Sequence, residues 1–320
     1  MRQVHPPTPA DLAGAEEVVR RFLPVTPVVA APLLGEDVHL KLELLQPTGS
    51  FKVRGGLAAV AAAHRRQPDV PLVAASAGNH GLGVAYAADR LGCEATVVVA
   101  ENAAPAKVRA LHRYGAALVR HGTTYDEAEA HALELAEAKG WHFVSPYNDP
   151  DVIAGQATLG RELLSQVPDM ATLVVPLGGG GLLSGVGLAT EGTGVHLVGV
   201  EPEHAAAMMA AVAAGRVVPV ELGPTMADGL AGNLEEGSVT VDLARRLASE
   251  LLTVSEGEIA EAVRFLAFDV GLVVEGAGAV GVAVVRNGTV STGRGPAVVL
   301  ITGRNISAEL LVQVLSAGPV

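Results

Sequence analysis

The strongest constraint on this chain is an alternation: short β-branched runs recur along it, each followed by an alanine-rich segment with helical spacing. A parallel strand pair needs a long crossover, which a helix supplies, so the pattern implies an α/β fold with a parallel sheet covered by helices. Strands are predicted over 38–45, 72–75, 95–100, 172–176, 196–200 and 297–302, with helices in the gaps. One helix start is explicit, because Ser255-Glu256-Gly257-Glu258 is a capping box ahead of the apolar periodicity of 259–268. In an open sheet of this kind, ligands sit beyond the carboxyl ends of the strands, so the loops there are the first places to look for chemistry.

Bulk properties exclude several classes of function. At 320 residues the chain can bury a large core in one large or two closely joined domains. Apolar residues make up 49% and charged residues 18%, which fits a packed globule. With 34 acidic against 22 basic residues the net charge is −12, so nucleic acid and anionic membranes are repelled. Cys93, the single cysteine, cannot form an intramolecular disulfide and reads as a buried thiol between a helix end and a strand. Met1-Arg2-Gln3-Val4-His5-Pro6-Pro7 has no apolar core of signal-peptide type, so a cytoplasmic protein is expected. The uncharged run 170–190 is interrupted by Pro176 and four glycines, which makes it a strand, loop and helix instead of a membrane span.

Four loops carry the polar groups. In the first, Gln46-Pro47-Thr48-Gly49-Ser50-Phe51-Lys52, the lysine lies at the start of a helix running to about Arg66. The helix dipole opposes its positive charge there, lowering the amine pKa and favouring attack on an aldehyde; alone, the segment also reads as a polar turn with a surface lysine. In the second, Ser76-Ala77-Gly78-Asn79-His80-Gly81, backbone amides, a hydroxyl, a carboxamide and an imidazole gather at a helix start, a set suited to a carboxylate. The third, Gly178-Gly179-Gly180-Gly181-Leu182, allows close approach of amides to a phosphate or makes a tight turn; it has no Walker lysine. The fourth, Thr302-Gly303-Arg304-Asn305, puts a hydroxyl at a strand end, able to bond a ring nitrogen or to cap a helix.

In this order the four segments resemble the β-family (fold type II) of pyridoxal-phosphate (PLP) enzymes, specifically the serine/threonine dehydratases. Asp151-Val152-Ile153-Ala154-Gly155-Gln156-Ala157-Thr158 and Glu275-Gly276-Ala277-Gly278-Ala279 strengthen the resemblance, which spans almost the whole chain. It implies two parallel-sheet domains with helices on both faces, a large one from residues 1–71 and 149–320 and a small one from 72–148. It further implies that Lys52 bonds the cofactor covalently with Phe51 beside it, and that Gly178, Gly179, Gly180, Gly181 and Leu182 hold the phosphate. Asn79 meets the phenolic oxygen, Glu275 lies at the cofactor, Thr302 faces the pyridine nitrogen, and Ser76, Ala77, Gly78, Asn79 and His80 receive the substrate carboxylate. Thr302 stands where the family more often has serine or cysteine, Glu275-Gly276-Ala277 replaces Glu-Pro-Ser/Thr, and Arg304 replaces a smaller residue.

The chemistry implied is loss of water from L-threonine or L-serine, giving a 2-oxo acid and ammonia. Lys52 takes the α-proton, and the cofactor phosphate protonates the leaving hydroxide. The neutral Thr302 cannot hold a proton on the pyridine nitrogen as a carboxylate would, which disfavours full delocalisation and favours expulsion of the β-hydroxyl. Another β-hydroxy amino acid, β-replacement, or a catalytically idle relative are the nearest rivals, although cysteine synthases show Thr-Ser-Gly-Asn-Thr-Gly where this chain does not. A remote rival is NAD(P) binding, because Gly276-Ala277-Gly278-Ala279-Val280-Gly281 after a strand-like 272–274 spells a dinucleotide fingerprint; no acidic residue follows until Glu309. A homodimer or homotetramer is the expected assembly. The motifs end at Asn305 and the chain at Val320, so no C-terminal effector domain and no isoleucine feedback are expected. No metal site is expected either: cation-binding relatives pair an acid at the position of Glu201 with one at Ala207, which leaves Glu203 or Asp228 as substitutes. Family racemases place a serine at the position of Ala77, so racemisation is expected to be negligible.

Overall fold

A computed structural model describes residues 4–317, with the side chain of Ala106 left aside; Met1-Arg2-Gln3 of the amino-terminal reading lie outside the described residues. Two sheets organise it. The larger has the order β1 (Val28–Ala30), β2 (Val38–Lys41), β10 (Ala297–Leu300), β7 (Thr172–Pro176), β8 (His196–Pro202) and β9 (Glu250–Val254), and only β1 runs antiparallel to its neighbour. The smaller is all parallel, in the order β5 (Ala117–Arg120), β4 (Ala95–Val99), β3 (Leu72–Ala75) and β6 (His142–Phe143). The helices are α1 (Pro9–Phe22), α2 (Lys52–Arg66), α3 (Asn79–Leu91), α4 (Pro105–His112), α5 (Tyr125–Lys139), α6 (Pro150–Gln166), α7 (Gly181–Thr190), α8 (Ala207–Ala214), α9 (Val239–Leu247), α10 (Glu256–Phe268), α11 (Gly276–Arg286) and α12 (Ala308–Ser316).

The period-2 geometry of strands explains why both faces are covered. Leu173, Val175, Leu197, Val298 and Leu300 point into one apolar cluster with α6 to α9, whereas Val174, Val198, Val200 and Val299 point into another with α10 and α11. In the small sheet, Leu72 and Ala74 face α2 and α3, while Val73, Ala75 and Val98 face α5. Strands buried on both sides read as continuous apolar runs, and that is why these four- and five-residue segments stood out in the sequence.

Helix α2 lies at the centre, against α1, α3 and α6. A Cβ at Gly56 would lie 2.6 Å from the backbone of Gly83 in α3, and one at Gly155 in α6 only 2.5 Å from the carbonyl oxygen of Arg54, so these helices touch backbone to backbone. The far side of α2 is fixed by charge. Arg54, 2% exposed, donates from Nε and Nη2 to both oxygens of the fully buried Glu43 (2.7 and 2.8 Å) and from Nη2 to Glu162 (2.7 Å). Lys41, also buried, donates to Glu162 Oε1 at 2.6 Å, to the Thr26 carbonyl and to Gln166. Burial alone would raise the Glu43 carboxyl, but the Arg54 charge and hydrogen bonds hold it below the usual range.

Several element bounds differ from the sequence expectation. The run 38–45 stops pairing at Lys41 and turns through a short 3₁₀ segment, Glu43–Leu45, which aims Glu43 inward toward Arg54. Strand β8 runs two residues further than expected, to Pro202, while β4 and β10 end one and two residues short of the predicted limits. Residues 272–274 are not a strand, so the dinucleotide fingerprint lacks its strand and turn; Gly278 and Gly281 instead lie inside α11, pressed against Val274 and Val299. The run 170–190 is β7, a loop and α7, and among the described residues no helix is long and apolar enough to cross a membrane. Cys93 is partly buried, beyond the left-handed Gly92 that ends α3. The capping box at Ser255 forms as read.

Candidate active site

All four polar loops follow the carboxyl ends of strands β2, β3, β7 and β10, and backbone pairing ties the first to the fourth. The Phe51 amide donates to the Thr302 carbonyl at 3.0 Å, the Arg304 amide to Gly49 O at 3.0 Å, and Ser50 bridges Gly303. Lys52 is the first residue of α2 and its amine donates to the Pro146 carbonyl at 2.9 Å, with Phe51's ring centroid 5.4 Å away. Its pKa falls to about 8, and the main cause is burial, with the charge of Glu275 pulling the other way. Burial, instead of the helix end expected from the sequence, is thus what brings this amine toward neutral pH. The other lysines differ: Lys41 is tied into the buried charge cluster, and Lys107 and Lys139 lie on α4 and α5.

The Ser76 loop enters α3 at Asn79. Ser76 Oγ accepts from the Gly78 amide at 3.1 Å, holding the loop closed on itself. His80 is buried, with Nε2 2.9 Å from Val144 O; burial first and the nearby Lys52 charge second lower its pKa to about 3, so the ring stays neutral and Nε2 is the donor. Asn79 donates from Nδ2 to Glu275 Oε1 at 2.8 Å and accepts at Oδ1 from Asn305 at 2.6 Å. The Glu275 carboxyl rises to about 7, chiefly through burial and then through the charge of Asp228.

The glycine loop turns from β7 into α7 through the left-handed Gly180 (φ +84). Among the described residues no oxygen accepts from the amides of Gly178, Gly179 or Gly180, and the buried Ser184 hydroxyl in α7 has no partner. The loop's outer side is packed: a Cβ at Gly179 would lie 2.4 Å from the ring of Tyr147, and Thr240 donates to Gly179 O at 2.8 Å. Tyr147 Oη in turn accepts from the Glu235 amide at 2.6 Å. The sequence reading missed Tyr147, Thr240 and Asn305; only Asn305 lies within a segment singled out in advance. Thr302 is buried and caps no helix, since Ser307 caps α12.

These residues suit a phosphorylated aldehyde: a buried amine of lowered pKa, a row of amides without acceptors, and a neutral hydroxyl beyond β10. For a metal the arrangement is poor. Both oxygens of Glu201 accept from amides at the start of α8, Met208 N at 2.9 Å and Met209 N at 2.7 Å, while Glu203 pairs with His204 and Asp228 with Lys107. Among the described residues no cluster of three or more His, Cys, Asp or Glu side chains is placed to hold an ion.

Fold and site together define a fold type II pyridoxal-phosphate enzyme, and the chain belongs to the pyridoxal-phosphate dependent enzyme family, which it matches over residues 19–303. It is 40% identical over 305 residues to the L-threonine ammonia-lyase of Thermotoga maritima, covering 95% of this chain and 76% of that one. Among solved structures it resembles maize serine racemase, with a TM-score of 0.89, 28% identity and 97% of both chains covered. It also resembles the processed form of threonine deaminase isoform 2 from Solanum lycopersicum, with a TM-score of 0.88, 29% identity, and 98% and 97% of the two chains covered.

Proposed function

We propose that this enzyme removes water from L-threonine, L-serine or both, releasing a 2-oxo acid and ammonia. The observation that carries the reading is the Lys52 amine, buried, of pKa about 8 and held at 2.9 Å by Pro146 O, on a chain whose relatives include an ammonia-lyase. When bound, PLP supplies an electron sink for the pair left behind as the α-proton departs. At pH 7 about a tenth of an amine of this pKa is neutral, so Lys52 can act as the base once it is free of the cofactor. The Pro146 carbonyl gives the resulting ammonium a place to stay. The amides from Gly178 to Leu182 hold the phosphate, Ser76 to His80 hold the substrate carboxylate, Asn79 and Glu275 meet the cofactor, and Thr302 meets its ring nitrogen as a neutral partner.

Elimination and racemisation share the same first step and part at the group facing the α-carbon opposite Lys52. In this reading that group is Ala77, whose methyl can neither give nor take a proton, which favours elimination although racemases are among the structural relatives. The strands divide into a sheet within 72–148 and one outside it, in keeping with a small unit, 72–148, and a large one, 1–71 with 149–320, whose α1 and α2 pack on the small sheet. The exposed Phe268, Val273 and Val312 are compatible with a homodimer or homotetramer, and we place the enzyme in the cytoplasm. The test is ammonia and 2-oxo acid release over a panel of β-hydroxy amino acids. Turnover of L-threonine or L-serine supports the reading, and ammonia from neither refutes it.

A further inference from the structure

The carboxamide of Asn79 has two hydrogens and one oxygen to place, and its surroundings dictate which way round it lies. In its ionised form Glu275, whose Oε1 lies 2.8 Å away, takes a hydrogen only from the nitrogen, and Asn305 Nδ2, 2.6 Å away, can only serve the oxygen. A half-turn of the amide would set oxygen against carboxylate and NH₂ against NH₂. Asn305 is itself fixed: its second Nδ2 hydrogen goes to Thr48 O at 2.9 Å, and its backbone amide donates to Glu275 Oε2 at 3.1 Å.

Two glycines leave room for this arrangement. A Cβ at Gly303 would sit 2.1 Å from Glu275 Oε1, and one at Gly49, already left-handed at φ +79, would sit 2.7 Å from Asn305 Oδ1. The network therefore joins the Lys52 loop, the Ser76 loop, the start of α11 and the loop beyond β10 in one set of part-buried hydrogen bonds. Glu275 stays within reach of Lys52, whose charge it favours.

We infer that Asn305 is a positioning residue that sets the polarity of Asn79, leaving one N–H of Asn79 as the only hydrogen-bond donor this side chain can turn toward a ligand. The inference rests on the proposed place of Asn79 at the phenolic oxygen of the cofactor. A phenolate accepts hydrogen bonds, so a carboxamide locked with its donor outward complements it, and one free to flip would do so only part of the time.

A double-mutant cycle on cofactor affinity tests this, read by titrating apoenzyme with PLP and following the visible band. Asn305→Ala should weaken binding about threefold to tenfold, the measure of one neutral hydrogen bond, and shift the band in the same direction as Asn79→Ala. With Asn79→Ala in place, adding Asn305→Ala should cost less than about twofold further, because a residue that acts through another loses its effect when that other is gone. Independent, multiplying losses would mean Asn305 merely supports the loop, and would overturn the inference; so would wild-type affinity in Asn305→Ala or Asn79→Ala. If Asn305→Ala does not fold, Asn305→Asp keeps the shape but lacks the side-chain hydrogens, and should reproduce the loss; wild-type affinity in it would be equally fatal. The result is separable from the proposed reaction: absent ammonia release with a non-additive cycle would sink the dehydratase reading and leave this one standing.

Discussion

Glu43 offers a measurable test of how the Lys52 helix is held. Replacing it by glutamine keeps the size but removes a fully buried carboxylate that takes two hydrogen bonds from Arg54 and one from Thr26. Two buried cations, Arg54 and Lys41, would then share the single carboxylate of Glu162. Breaking a buried pair in this way costs about 3–5 kcal/mol. An unfolding entropy of about 2.1 cal/mol/K per residue over a chain of this length is about 0.7 kcal/mol/K, so Tm should fall by about 4–7 °C in calorimetry. The pH dependence follows from the sign of the shift. Because the folded Glu43 pKa lies below the ordinary 4.5, its contribution is full above that value and is lost as pH falls through the folded pKa. The gap between wild type and Glu43→Gln should persist from pH 8 to pH 5 and close only below about 4.5. A drop of under about 2 °C, or a gap that closes already near pH 6, would refute an ionised, paired Glu43.

Lys52→Ala should remove the visible band of the lysine-bound cofactor and nearly all turnover; a retained band would show that another amine holds PLP. In the wild type, recombination of apoenzyme with PLP should quicken with pH to a midpoint near 8, because only the neutral amine attacks; a midpoint near 10.5 would contradict the buried Lys52. Ala77→Ser should raise D-serine relative to pyruvate formed from L-serine, measured by chiral chromatography, while appreciable D-serine from the wild type would show that some other group protonates the far face. Chelation should change activity little, since amides already occupy both oxygens of Glu201; a loss restored by magnesium would overturn that.

What the sequence made legible was set by burial on both faces. Strands such as β3 and β7 are buried throughout, with apolar residues at nearly every position, and were found to the residue. By contrast, β5 has no buried residue, β6 is two residues long, and β9 runs along an edge with one buried residue, so none carries a strong apolar signal and all three were missed, as was the short β1. The chemistry-bearing loops were visible because glycine, serine, asparagine and lysine cluster beside turns. Their cross-links were not, because the contacts of Asn305 to Thr48 and Asn79 span 257 and 226 residues and leave no local pattern. The same holds for Tyr147, whose packing on Gly179 follows from the fold alone. The glycines of 276–281 were ambiguous: a nucleotide fingerprint and a helix packed closely on a sheet use the same small residues, and the absent strand before them now joins the absent acidic residue after them in telling the two apart.

The seams where α2 meets α3 and α6 bear on how such an enzyme can diverge. At Gly56, Gly83 and Gly155 a single methyl group would collide with main chain, which cannot step aside as a side chain would. Lineages that acquire new substrates must leave those positions nearly frozen and spend their variation in the loops at the strand ends. Drift around a fixed axle keeps the Lys52 amine in place while its surroundings are rewritten, so one scaffold can pass between reactions without first losing its cofactor.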